Sequence, residues 1–284
     1  MTATFRSTRI APLVAAAALL AQCAAPAFCG ERPAPDPLGY GGRLWSDLKE
    51  LPTLPARWSG GQLAIAGGVL GATAGSLMYD EKIRSYNESH RKEFWQNVSF
   101  ASTHFGDYKY QAPIITALWA GGYAFGSVRM RGMAADAAES SIIAALIINP
   151  TICFFTGRRL PSKQDEPSSF RPFRHSGYSF PSGHTSAAFA LASSLDIDLR
   201  DTLGYWQTPV LYGMAAGVAR SRVYDDKHYL SEVILGGGIG WAVGTWVASK
   251  HRAGAAGKPA EGKPAVTLLP YFPGGPGLIV SSLF

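Results

Sequence analysis

Six apolar stretches of roughly helical length constrain this chain more than any other feature: residues 60–79, 111–128, 138–156, 185–199, 207–221 and 230–249. No strand-like alternation competes with them until "AVTLLPYF" and "GLIVSSLF" near the C-terminus, which fit short strands or a plain tail. Glycines recur in four-residue steps, Gly67/Gly71/Gly75 in the first stretch and Gly236/Gly240/Gly244 in the last. Such steps line one helix face with bare backbone and let a neighbouring helix approach closely, as in membrane bundles. The expected fold is all-α, a bundle of about six helices.

Length favours membrane spans for the first two stretches and the last. A mean hydropathy of +0.04 is low for six spans, and "DAAES" and "SSLDIDL" place carboxylates where lipid would be. An exported soluble bundle is the competing reading, and the balance falls to membrane association. Charged residues are only 16% of the chain and the net charge is +6. That balance suits an anionic substrate or a membrane surface, and no Lys/Arg block suggests nucleic acid.

Residues 1–27 have the layout of an export signal: Arg6 and Arg9, the apolar run "IAPLVAAAALLA", then "APA". This places the protein in a bacterial cell envelope, at the inner membrane or in the periplasm. If six true spans follow a signal, the turns after the third and fifth face the cytoplasm, so the side of the membrane stays open. Residues 28–58, rich in Pro, Gly and Arg, read as an irregular lead-in. Residues 59–252 form the helical domain, and 253–284 a flexible linker and tail. With the signal removed, Cys29 and Cys153 remain, too few for a disulfide framework. The sequence does not give an oligomeric state.

Polar residues concentrate in two places, 157–186 and 220–232. In "FPSGHTS" (180–186), Pro181 stops any preceding helix, Ser182 can cap the next one, and Gly183 permits unusual backbone angles. Backbone amides at such a helix start make an anion site, with His184 on the first turn beside it. In "RSRVYDDKHYLSE" (220–232), His228 and Glu232 stand at i, i+4 and would share a helix face, the carboxylate orienting the imidazole. Arg222 offers a planar fork suited to phosphate. Each motif alone is as well explained by a capped or solvated helix start. Together, two histidines, an arginine and an oriented carboxylate form a phosphoryl-transfer set. The "DD" at 225–226 comes with no spacing that supports a metal, and none is expected. His90, His104, His175 and His251 read as surface or interfacial.

"PSGH" at 181–184 followed by "SRVYDDKHYLSE" at 221–232 resembles the second and third signatures of the type 2 phosphatidic acid phosphatases. Their superfamily includes bacterial acid phosphatases and vanadium haloperoxidases. The third signature departs in one place, Glu232 standing where the family has Asp. The resemblance covers about 59–250 and makes the helical domain phosphatase-like. It implies a metal-independent phosphatase with no cofactor, acting on a lipid phosphate or similar phosphoester. It also implies roles: His228 as nucleophile forming a phosphohistidine, Glu232 orienting it, His184 as general acid, and Arg222, Ser182 and Gly183 holding phosphate.

A first family signature, Lys, six residues, then Arg-Pro, is matched by "CFFTGRRLP" (153–161) only through Thr156, Gly157, Arg158 and Pro161. Cys153 and Leu160 replace its two cations, and Arg158 and Arg159 are the nearest candidates to supply the missing charge. Two alternatives follow: a weak or inactive member serving as a binding or structural module, and a vanadate-dependent haloperoxidase.

Overall fold

The structure is a computed structural model and describes residues 39–163, 169–173, 179–255, 266–271 and 277–282. The signal expected at 1–27, the first part of the lead-in, and His175 lie outside these residues. All six apolar stretches are helical. The first is α2 (Gly60–Leu77), the second α5 (Tyr108–Ala124). The third belongs to a rod made of α6 (Val128–Ser141), a π-helical stretch Ile142–Ile148 and α7 (Asn149–Thr156). The last three are α8 (Gly183–Leu203), α9 (Gln207–Tyr224) and α10 (Leu230–Ala255).

Shorter helices fill the gaps: α1 (Tyr40–Glu50), α3 (Asp80–Ser89) and α4 (Glu93–Thr103). The first of these corrects the reading of 28–58 as irregular, since α1 runs into a 3-10 turn over Leu51–Arg57. Pro52 and Pro55 fall in that turn, while Leu44 and Leu48 pack on a core of Ile143, Ala190, Val243 and Val247. The tail also differs from a plain linker: β1 (Val266–Tyr271) and β2 (Gly277–Ser282) pair as an antiparallel hairpin.

The two glycine stripes behave differently. A Cβ at Gly240 would stand 2.2 Å from the Ser186 carbonyl oxygen, and one at Gly244 2.4 Å from that of Ala190. Bare backbone therefore lets α8 and α10 meet, as the spacing predicts. At Gly67, Gly71 and Gly75 a Cβ would meet nothing within 4 Å, so that stripe serves no contact within the described residues.

Among the described residues two helical segments, Val128–Thr156 and Leu230–Arg252, are long and apolar enough to cross a membrane; α2 and α3, bent by 62°, add a third if taken as one span. The carboxylates that argued against spans face inward: Asp136, Glu139, Asp196 and Asp198 are all buried. Exposed apolar side chains instead line α2 and α5, among them Leu63, Ile65, Leu70 and Ile114. That is the surface of a chain associated with lipid.

Candidate active site

The turn between α9 and α10 is built to present one histidine. The backbone N–H groups of Lys227 and His228 both donate to the Arg222 carbonyl, at 3.0 and 3.1 Å, and Asp226 adopts a left-handed φ of 57°. A non-glycine residue is rarely held there, and Arg84 Nε, donating to Asp226 Oδ1 at 2.8 Å, ties it down. His228 thus precedes α10 rather than sharing a helix with Glu232. The pairing survives because Glu232, in the first turn of α10, reaches back. Its Oε2 lies 2.8 Å from His228 Nδ1 and accepts the Tyr229 N–H at 3.3 Å. With Nδ1–H donating to the carboxylate, Nε2 carries the lone pair.

Glu232 is fully buried, so its charge must be met from within the protein. Ser179 Oγ donates to Oε1 at 2.7 Å, and Arg158 Nη1 lies 3.4 Å from the same oxygen. Arg158, 1% exposed, also donates to Ser231 Oγ and Asp80 Oδ2, each at 2.7 Å, and lies 4.1 Å over the Tyr229 ring. This corrects the expectation that Arg158 grips phosphate. It braces the carboxylate from behind, because burial commits its donors to Asp80, Ser231 and Glu232. Arg159 is half-buried, with its N–H on the Ser169 carbonyl at 3.4 Å.

The "PSGH" turn starts α8 as expected, after a cis bond between Phe180 and Pro181. Ser182 is fully buried, and its groups serve the turn itself. Its N–H donates to the Glu232 carbonyl at 3.0 Å, and its Oγ accepts from Thr185 Oγ1 at 3.0 Å and Thr185 N–H at 3.5 Å. Ser182 therefore joins the two signatures, its N–H committed to Glu232 and its Oγ accepting as the cap of α8. A Cβ on Gly183 would touch the Asn149 amide at 3.8 Å, and Asn149 bonds Ser186 Oγ at 3.1 Å. A Cβ on Gly106 would come within 2.6 Å of the His184 carbonyl, so the loop before α5 lies flat against this histidine. Burial, reinforced by Arg222 and His228, pushes the His184 imidazole down to about 4, with Asp107 acting the other way. The charges of Arg222 and His228 thus reach His184.

Arg222 is buried at the end of α9. Its Nη2 donates to Thr103 Oγ1 and, at 3.1 Å, to Asp225 Oδ2, which aims the guanidinium along the α4 side of the site. There it lines a cavity of about 570 Å³ together with Gln96, Asn97, Thr103, Tyr110 and Asp225. Cys153, where the family has Lys, sits with Sγ 3.6 Å from Asn149 Oδ1 and 3.8 Å from the Pro181 carbonyl, directly under the turn.

Ser179, Asp80, Thr103 and Asn149 escaped the sequence reading. Each contributes one short polar side chain from a separate element, and no local pattern marks any of them.

The PAP2 superfamily matches this chain over residues 134–254. A lipid A 1-phosphatase of Porphyromonas gingivalis is 32% identical over 74 residues, which is 26% of this chain and 16% of that protein. The chain thus spans only a small part of the curated relative it matches. Among solved structures, a transmembrane PAP2-type phosphatidylglycerolphosphate phosphatase from Bacillus subtilis superimposes with a TM-score of 0.52 at 20% identity. That alignment covers 67% of this chain and 96% of the other, so the helical fold is shared across nearly all of that molecule. Fold and signature residues agree in likening residues 134–254 of this chain to the PAP2 superfamily.

Proposed function

We propose that this chain is a phosphatase that hydrolyses a phosphomonoester or pyrophosphate, of a lipid by preference, through a phosphohistidine at His228. One observation carries the reading: a histidine whose Nδ1 is fixed at 2.8 Å by a fully buried carboxylate, which is itself braced by Ser179 and Arg158. Glu232 favours the tautomer whose Nε2 attacks phosphorus, and it stabilises the imidazolium character that develops. His184 donates the proton to the leaving oxygen, and Arg222 balances charge on the phosphoryl oxygens. Water then attacks phosphorus, and His228 departs as the leaving group.

Apolar α2 and α5 surfaces, together with the lipid-phosphate activities named for the two relatives, support a lipid substrate in a bacterial envelope membrane. A second reading, a weak or inactive member, is favoured by Cys153 and Leu160 at the cation positions. Phosphate release by purified protein from phosphatidic acid and isoprenyl pyrophosphate, run beside His228→Ala, separates the two. The reading predicts release that the variant lacks. Equal traces from both proteins on every substrate favour the inactive member.

A further inference from the structure

The far end of α10 carries a second polar cluster with no part in the chemistry above. Asp47 on α1, Glu139 on α6 and His251 on α10 each offer one ligand atom, and these atoms all lie within 4.8 Å of one another. His251 is nineteen residues beyond Glu232 on one helix, about 28 Å at 1.5 Å per residue, so the two places are separate.

Each of the three side chains is gripped on one side and open on the other. Asp47 Oδ1 accepts from Lys250 Nζ at 2.6 Å, and Glu139 Oε2 accepts from Arg43 Nε at 2.7 Å. His251 Nδ1 lies 3.0 Å from Asp136 Oδ1, which also accepts from Arg43. What remains is Asp47 Oδ2, which faces His251 Nε2, and Glu139 Oε1, which is buried and without a hydrogen-bond donor among the described residues. These side chains are only 2% and 0% exposed, and an unsolvated carboxylate oxygen is costly to bury without a positive partner. The nearby Tyr40 hydroxyl is likewise buried and unpartnered.

His251 Nε2 stands 3.2 Å from Asp47 Oδ2. Two ligands on one tetrahedral ion, at about 2.0 Å each, lie about 3.3 Å apart. Charge points the same way: Asp47, Glu50, Asp136 and Glu139 face Arg43, Lys250 and, at Glu50, Arg57 as permanent cations. One negative charge is left over before His251 is counted.

We propose that Asp47, Glu139 and His251 form a binding site for a divalent transition-metal ion of the zinc type. Asp136, Arg43 and Lys250 orient its ligands. One imidazole nitrogen with two carboxylate oxygens suits Zn²⁺ better than Mg²⁺ or Ca²⁺, which favour all-oxygen shells of six or more. Nδ1–H on Asp136 leaves Nε2 for the metal, the usual carboxylate–histidine–metal arrangement. Arg43 Nη2, 2.6 Å from Nδ1, then keeps Asp136 as its acceptor. The ion would tie α1, which precedes the residues matched to the family, to α6 and α10.

The test is Zn²⁺ binding by the full chain in detergent after chelator stripping, read as metal retained per chain and as a rise in Tm. One Zn²⁺ per chain is expected, with no comparable rise from Mg²⁺ or Ca²⁺. Asp47→Asn and His251→Gln should lose the Tm rise and weaken binding by about 100-fold or more. Asp136→Asn, which leaves all three ligands in place, should weaken it by about 10- to 100-fold. Asp47→Asn keeps the oxygen that accepts from Lys250 Nζ, and its metal-free Tm, measured beside the wild type's, separates lost binding from lost folding. A double His184→Ala/His228→Ala variant should bind Zn²⁺ as the wild type does. The proposal is overturned if the wild type retains no zinc, if Asp47→Asn and His251→Gln retain it equally, or if the catalytic double variant abolishes it.

Discussion

Arg158 and Glu232 face each other at 3.4 Å, the first 1% exposed and the second 0%. Arg158 is shared with Asp80 at 2.7 Å, so one guanidinium compensates two buried carboxylates. Replacing Arg158 with Met removes that compensation, and a broken buried ion pair of this kind costs about 3–5 kcal/mol. The expected outcome is a large drop in Tm, with activity falling in the protein that remains folded, because Glu232 loses its brace. Thermal unfolding in detergent checks the first and phosphate release per folded molecule the second.

Glu232→Gln keeps the shape and the bond from Ser179 but removes the charge that fixes the His228 tautomer. We expect kcat to fall by roughly 10²–10⁴-fold, the scale seen when a triad carboxylate is neutralised, with KM nearly unchanged. Steady-state kinetics on the same substrate for both proteins decides it.

His184 supplies the pH dependence. Its pKa is about 4 in the folded protein, below the ordinary 6.5, because of burial first and then Arg222 and His228. Between those values the unfolded chain holds a proton that the native site refuses. Stability therefore rises with pH across about 4 to 6.5 and is lost as pH falls through that window. His184→Gln should flatten this part of the Tm–pH curve. A bound oxyanion such as vanadate favours the protonated ring, so its binding near neutral pH should take up a proton. Calorimetry in two buffers of different ionisation enthalpy measures that uptake, and it should vanish in His184→Gln.

Cys153 touches the "PSGH" turn through Asn149 and the Pro181 carbonyl, where a longer cation would reach the phosphate site. The double change Cys153→Lys with Leu160→Arg should raise kcat/KM by about tenfold or more, since each well-placed cation stabilises the charged transition state. No gain in an active wild type would mean that other cations already fill the role.

Gly240 and Gly71 should respond in opposite directions to alanine. A methyl at 240 meets the Ser186 carbonyl at 2.2 Å and the Ala190 nitrogen at 2.9 Å, so α8 and α10 must part, at a cost of about 1–3 kcal/mol. At 71 nothing stands within 4 Å, and the better helix propensity of alanine is worth up to about 1 kcal/mol in its favour. Paired Tm measurements test both signs.

Apolar periodicity located every long helix because lipid-facing and core-facing helices alike leave runs of that kind. It failed at α1, whose glycines, with Pro52 and Pro55 just beyond its end, mask a short amphipathic helix that packs Leu44 and Leu48 on the core. His184, His228, Arg222 and Glu232 were legible because spacing within two short motifs carries them. Arg158 was legible as a cation but not as a brace, since its role depends on Asp80, 78 residues away. The cluster of Asp47, Glu139 and His251 left no local trace at all, because its members come from three helices and meet only when the bundle closes.

Helix α10 begins two residues after His228 and ends four residues after His251, with α8 pressed along its glycine face between. Such a rod has a fixed phase. Adding one residue in its middle turns everything beyond by about 100° and advances it by about 1.5 Å. Gly236, Gly240 and Gly244 could not then all keep their seats on α8 while Glu232 and His251 kept theirs. Insertions and deletions should therefore be tolerated poorly along this helix, and far better in the segment between its end and the C-terminal hairpin.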